Sequence, residues 1–123
     1  MRILIADDNL LVRQGVRKLL SAEPIWQVCG EARNGAETLE LARALVPDLL
    51  LLDMSMPGGM GGLEVTRAIR QTDQHLKIVI MSQHDPVHLL PRALEAGADG
   101  CVEKARMACD LVAFIKLKVA GSI

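Results

Sequence analysis

PDLLLLDMSMPGG, residues 47–59, holds the most hydrophobic run of the chain. The four leucines 49–52 lie between Asp48 and Asp53, a run too short for a helix, and they read as a strand. No polar residue alternates with them, so both faces of the strand must be covered. That is the pattern of a central strand in a parallel sheet with helices on either side. The run ends on a carboxylate, Asp53, and a loop of methionine, serine, proline and glycine follows.

Two hydrophobic periods alternate away from this strand in both directions. RILIA (2–6), IWQVCG (25–30), KIVIM (77–81) and GCV (100–102) read as further short strands, the second less buried than the rest. Between them lie helical patterns. The first spans 10–20, with Leu11, Val12, Val16, Leu19 and Leu20 on its stripe. The next opens on Asn34, with Glu37 at capping-box spacing. EVTRAIR (64–70) and RALEAG (92–97) follow, the latter closing on a glycine. The last runs from about Arg106 to Val119, with Leu111, Phe114, Ile115 and Val119 toward the core. Five strand–helix alternations with right-handed crossovers give an α/β class: a doubly wound five-stranded parallel sheet, order 2-1-3-4-5. There is no internal repeat and no linker, so residues 1–123 read as one domain.

Composition narrows the function. Half the residues are apolar, which excludes wholesale disorder. Fourteen basic and fifteen acidic residues leave a net charge of -1 and no basic stripe, so this chain carries no nucleic-acid footprint. Lys116 and Lys118 read as solvated helix surface. No run reaches the length of a membrane span, and the N-terminus enters a strand at once, leaving no room for a signal peptide. Cys29, Cys101 and Cys109 are not spaced as a metal knuckle and read as buried free thiols, consistent with a cytoplasmic protein.

In open parallel sheets, ligands bind beyond the carboxyl ends of the strands. Those ends carry Asp7 and Asp8, Asp53, Ser82, and Glu103 with Lys104. One aspartate after a strand is ordinary loop chemistry, but the joint pattern is not. Three clustered anions repel one another, and a divalent cation resolves the repulsion. Oxygen-only ligands suit a hard ion such as Mg²⁺. Lys104 adds a point charge and Ser82 a hydroxyl, both suited to phosphoryl oxygens. Asp53, held on the most central strand, is the candidate nucleophile toward phosphorus, forming an aspartyl phosphate. Met54, Met56, Met60 and Met81 read as packing rather than a cofactor box.

The set ILIADD (3–8), LLLLDMSMPGG (49–59), VIMS (79–82), ALEAGADG (93–100) and VEK (102–104) closely resembles the receiver domain of two-component response regulators, over essentially all 123 residues. LVRQGVRKLL and RALEAGADG look most like the subfamily whose receivers precede a helix-turn-helix DNA-binding domain. The resemblance implies a flavodoxin-like fold and a regulatory domain rather than an enzyme, one that catalyses at most its own phosphorylation and dephosphorylation. It implies that Asp53 accepts a phosphoryl group from a histidine kinase. Asp7, Asp8, Asp53 and the backbone carbonyl of Met54 would hold Mg²⁺, and Ser82 and Lys104 would contact the phosphoryl oxygens. It also implies homodimerisation or an output partner controlled from the strand-four/helix-four side, with DNA reached only through a C-terminal domain absent from this chain. KLKVAGSI (116–123) stands where an interdomain linker begins in that subfamily.

Three features depart from the family pattern. Cys101 replaces the aromatic switch residue expected three positions before the lysine. Pro91 falls inside the expected fourth helix, so that helix either starts near Pro91 or kinks there; the late start is favoured, with Leu90 pushed out of the α region. The loop PGGMGGLE (57–64) is one residue longer than usual and carries four glycines. His84 occupies a position that influences aspartyl-phosphate hydrolysis in the family, and Gln83 is larger than the compact residue common there. Two other functions compete with a phosphoacceptor switch. One is a degenerate receiver acting only as an interaction or dimerisation module. The other is a Mg²⁺-dependent phosphate-ester hydrolase, which lacks a substrate pocket and a placed general acid.

Overall fold

The structure is a computed structural model that describes residues 1–119; the end of the linker-like segment, residues 120–123, lies outside the described residues. Five parallel strands, β1 (Arg2–Ala6), β2 (Gln27–Ala32), β3 (Leu49–Asp53), β4 (Lys77–Ser82) and β5 (Gly100–Glu103), form one sheet in the order β2-β1-β3-β4-β5. Among the described residues, five α-helices connect and flank them: α1 (Leu10–Leu20), α2 (Gly35–Leu45), α3 (Gly62–Arg70), α4 (Leu90–Ala96) and α5 (Met107–Lys118). A 3-10 turn, Lys104–Arg106, leads into α5.

The leucine run behaves as its lack of alternation requires. Leu50 and Leu52 pack with Leu4, Ala6, Ile78 and Ile80 into one core layer, which also takes in Val65 and Ile69 of α3 and Ala93 of α4. Leu49 and Leu51 join Ile3, Ile5, Val79 and Met81 in the opposite layer, against Val16 and Leu20 of α1 and Leu111 and Ile115 of α5. All four leucines are fully buried. At about 1.5–3 kcal/mol for each fully buried side chain, this strand is a main source of stability and a rigid mount for Asp53.

Three expectations shift. The second strand begins at Gln27 rather than Ile25, because the Trp26 amide closes a turn onto the Glu23 carbonyl and Ile25 is exposed. It continues to Ala32, pairing Ile5 with Glu31 and Ala6 with Ala32. The fourth helix starts late, with Pro91 in its first turn, where a missing N–H is tolerated. Leu90 is nonetheless helical, because its amide donates to the Pro86 carbonyl (2.7 Å) and winds the chain before the helix proper. The cysteines differ among themselves: Cys101 is buried, Cys29 half-buried, and Cys109 exposed on the outer side of α5. Lys116 is exposed as expected and pairs with Glu23.

Helix ends follow local chemistry. Asn34 Oδ1 accepts the Glu37 amide (2.8 Å), and the Glu37 carboxylate reaches back to the amide of Arg33 rather than of Asn34. Gly97, at φ 109°, terminates α4 in the left-handed region.

Candidate functional site

The carboxyl ends of β1, β3, β4 and β5 open into one cleft of about 300 Å³, whose lining includes Asp7, Asp8, Asp53, Ser82 and Lys104. The sheet order brings this about. β1 and β3 are adjacent, so residues 46 apart in sequence face each other across the switch point. One oxygen from each of Asp7, Asp8 and Asp53 lies within 4.8 Å of the others. Asp7 is fully buried, Asp53 nearly so, and Asp8 is exposed at the mouth.

Lys104 lies between the two buried carboxylates, its Nζ 2.7 Å from Asp7 Oδ2 and 3.1 Å from Asp53 Oδ1. Asp53 also accepts the Ser55 amide at 3.3 Å, and Asp7 Oδ1 accepts the Asn9 amide at 2.9 Å. Burial, with Asp7 as a second cause, raises the Asp53 pKa above the ordinary carboxylate value, and Lys104 only partly opposes this. Burial works against the charged form of Lys104, but hydrogen bonding and attraction from Asp7 and Asp53 outweigh it and raise its pKa, so the ammonium stays charged. The charge count remains unbalanced: three carboxylates face one ammonium. Asp7 Oδ2, though fully buried, has the Lys104 ammonium at 2.7 Å as its partner. An all-oxygen cluster of three carboxylates with one ammonium between them fits a hard divalent cation, and these three aspartates could hold one.

Ser82, 5% exposed, accepts the His84 amide on its Oγ at 3.1 Å. Its own O–H is left to donate toward a group in the cleft. Gln83 and His84 are exposed and line the same cleft. The expected metal-ligand carbonyl, that of Met54, has one of its two lone pairs in use. It accepts the Gly62 amide (2.8 Å) at the start of α3, and a Cβ on Gly61 would lie 3.0 Å from it. The glycines of the 57–64 loop thus divide their roles. Gly58 and Gly59 take positive φ (96° and 80°), whereas Gly62 lets α3 close onto the Asp53–Met54 backbone, where a Cβ would meet the Asp53 carbonyl at 2.8 Å. Met54, Met56 and Met60 pack against the core from the segment between β3 and α3, and Met81 is buried in β4. Cys101 lies in β5, and burial raises its thiol pKa.

The sequence reading missed three residues at this site. Asn9, directly after the aspartate pair, lines the cleft and caps α1 by accepting the Leu11 amide (2.9 Å). Asn before an apolar helical stripe is a usable cap signal. Arg13 donates to the Asp7 carbonyl and to Glu31, and no local signal announces that link.

Residues 3–116 match the family model described as the response regulator receiver domain. The nitrate/nitrite response regulator protein NarL of Escherichia coli strain K12 is 40% identical over 121 residues, covering 98% of this chain and 56% of that protein. The chain therefore spans about half the length of the curated relatives it matches. A LuxR-family two-component response regulator from Aurantimonas sp. SI85-9A1 superposes with a TM-score of 0.90 at 38% identity, covering 98% of this chain and 85% of that one. The isolated REC domain of RcsB from Salmonella enterica serovar Typhimurium, determined in the presence of the phosphomimetic BeF3-, gives a TM-score of 0.86 at 26% identity and covers 94% and 86%. With fold, strand-end chemistry and these similarities in agreement, the chain belongs to the response regulator receiver domain family.

Proposed function

We propose that residues 1–123 form one receiver domain that accepts a phosphoryl group on Asp53 from a histidine kinase and signals by the change that follows. The observation that carries this reading is the convergence of Asp7, Asp8, Asp53 and Lys104 at the end of the rigid central strand. Asp53 is held on a fully buried strand, and its raised pKa makes the carboxylate a more basic nucleophile. Its oxygen attacks phosphorus as the bond from phosphorus to the donor's imidazole nitrogen breaks. Lys104 exchanges part of its ion pair for a phosphoryl oxygen, and the Ser82 hydroxyl donates to another. Asp7, Asp8 and Asp53 would hold Mg²⁺, which supplies neutralisation of phosphoryl charge. The Met54 carbonyl has one lone pair left beyond its bond to Gly62, so the three carboxylates are the main ligands in this reading.

The relatives' lengths and the LuxR-family likeness support an output domain that follows the receiver and contacts DNA, with this chain as its regulatory part. Phosphorylation-controlled homodimerisation fits the same reading. No helix among the described residues is long and apolar enough to cross a membrane. The test is intact-mass measurement after incubation with acetyl or carbamoyl phosphate, with and without Mg²⁺. One added phosphoryl group that requires Mg²⁺ and is lost in Asp53→Ala is expected. Equal labelling of wild type and Asp53→Ala would overturn the reading, and an unlabelled wild type would favour a module that works by interaction alone.

A further inference from the structure

The Asp7–Asp8 segment is secured by a charged side chain that no strand pairing supplies. β1 pairs with β3 only as far as Ala6 and Leu52. The Asp7 amide is satisfied by the Ala32 carbonyl (3.0 Å) at the end of β2. Its carbonyl would be left over, and Asp7 is fully buried, so an unpaired carbonyl there would carry its full desolvation cost. Arg13, 9% exposed on α1, fills this role: its NH1 donates to the Asp7 carbonyl at 2.7 Å. The same guanidinium is fixed from its other side, because Nε donates to Glu31 Oε1 at 2.8 Å. Glu31 is in turn held by Arg17, 2.5 Å from Oε2.

We propose that Arg13 is a positioning residue for the acidic cluster: by anchoring the Asp7–Asp8 peptide to Glu31, it sets the direction in which Asp8 enters the cleft. The inference rests on the reading of that cluster as a Mg²⁺ site. Its need comes from Asp8 itself. Among the described residues no hydrogen bond or ion pair holds the Asp8 carboxylate, so its placement depends on the peptide plane before it. Only a planar fork can serve a carbonyl and a carboxylate at once in fixed geometry. Lysine offers a single flexible ammonium and would serve one or the other. The guanidinium is also a permanent positive charge behind three carboxylates, at a place where it does not compete with a cation in the cleft.

The test uses the 123-residue chain with Mg²⁺ alone. Amide NMR titration gives the Mg²⁺ dissociation constant, and metal-free hydrogen exchange reads the Asp7 and Asn9 amides. Arg13→Gln should weaken Mg²⁺ by about tenfold, in the range that supporting residues around metal ligands command, and Arg13→Lys should weaken it by less. Both amides should exchange faster, and Arg13→Lys should recover part of the loss. Glu31→Ala, at a half-buried site, should shift both readouts the same way by less, and it decides the matter if the Arg13 variants do not fold. Val16→Ala, buried on the same helix away from the cleft, should lower thermal stability without moving the Mg²⁺ constant. Wild-type binding with unchanged Mg²⁺ constants in all Arg13 and Glu31 variants would overturn the positioning role alone. Absence of Mg²⁺ binding in the wild type would remove the cluster reading, and this inference with it.

Discussion

Replacing Lys104 by methionine removes the ammonium and keeps most of the side-chain volume. The lost contacts are at 2.7 and 3.1 Å, to a fully buried Asp7 and to an Asp53 side chain that is 6% exposed. With an effective dielectric near 20, each is worth roughly 5–6 kcal/mol before desolvation is counted. Desolvation of the ammonium, whose side chain is only 13% exposed, is recovered in the variant and offsets much of this. Breaking one side of a buried pair usually leaves a net loss of about 3–5 kcal/mol. The cleft opens to water at Asp8, so the lower end applies here, and about 3 kcal/mol is expected at pH 7.

The pH dependence of this loss has a definite sign. Asp53 has a raised pKa in the fold, by burial first and Asp7 second, with Lys104 pulling the other way. Its favourable contribution is therefore complete below the unfolded value of about 3.9 and is lost as pH rises through the folded value. Without Lys104 the folded value rises further, so the variant loses most near neutrality. Lys104 itself has a raised pKa, so its contribution is complete below its unfolded value of about 10.4 and does not titrate between pH 4 and 9. Urea unfolding of metal-free protein, followed by circular dichroism at pH 7 and pH 4.5, is the assay. The gap between wild type and Lys104→Met should shrink clearly at the lower pH, and added Mg²⁺ should narrow it at pH 7. A gap independent of pH, or none at pH 7, would refute the electrostatic account of the cluster.

Other perturbations probe the site from different sides. Asp53→Asn removes one anion from a repulsive, buried group, so thermal denaturation of the metal-free variant at pH 7 should give a Tm no lower than wild type. Gly62→Ala places a Cβ 2.8 Å from the Asp53 carbonyl, against backbone that cannot yield. A loss of about 1–3 kcal/mol in urea unfolding is expected, with altered amide shifts at Asp53 and Met54. Cys101 lacks the 150–250 Å² that an aromatic ring could bury by moving inward. Amide exchange with and without beryllofluoride should accordingly show changes confined to about residues 53–60 and 82–91; a concerted change through α4, β5 and α5 would show that coupling does not need the ring.

Much of the fold could be read because its signals are local. The leucines of β3 lack alternation, and the structure buries them on both faces. Pro91 marked the start of α4 because a proline lacks the N–H that a helix interior needs. Strand β2 was misplaced by two residues: Ile25 and Trp26 have strand propensity, but a turn onto Glu23 fixes them, and an edge strand leaves a weak apolar pattern. The acidic cluster was legible because each member directly follows or ends an apolar run and the sheet order is prescribed by handedness. The Arg13–Glu31 link was not, because it joins residues 18 apart through a tertiary contact, and an arginine on a helix ordinarily reads as surface. The bond from the Gly62 amide to the Met54 carbonyl was likewise not legible, since it depends on how closely Gly61 and Gly62 let α3 approach.

On the proposed reading, the Asp53 carboxylate, and no neighbouring group, takes the phosphoryl. The direct measurement is site mapping: phosphorylation by a small-molecule donor with Mg²⁺, borohydride reduction of the acyl phosphate to the corresponding alcohol, and tandem mass spectrometry of the peptide that spans β3. The account predicts the reduced residue at position 53 alone, absent when Mg²⁺ is withheld. A modification found on Asp8, Ser82 or His84, or none with Mg²⁺ present, would contradict it.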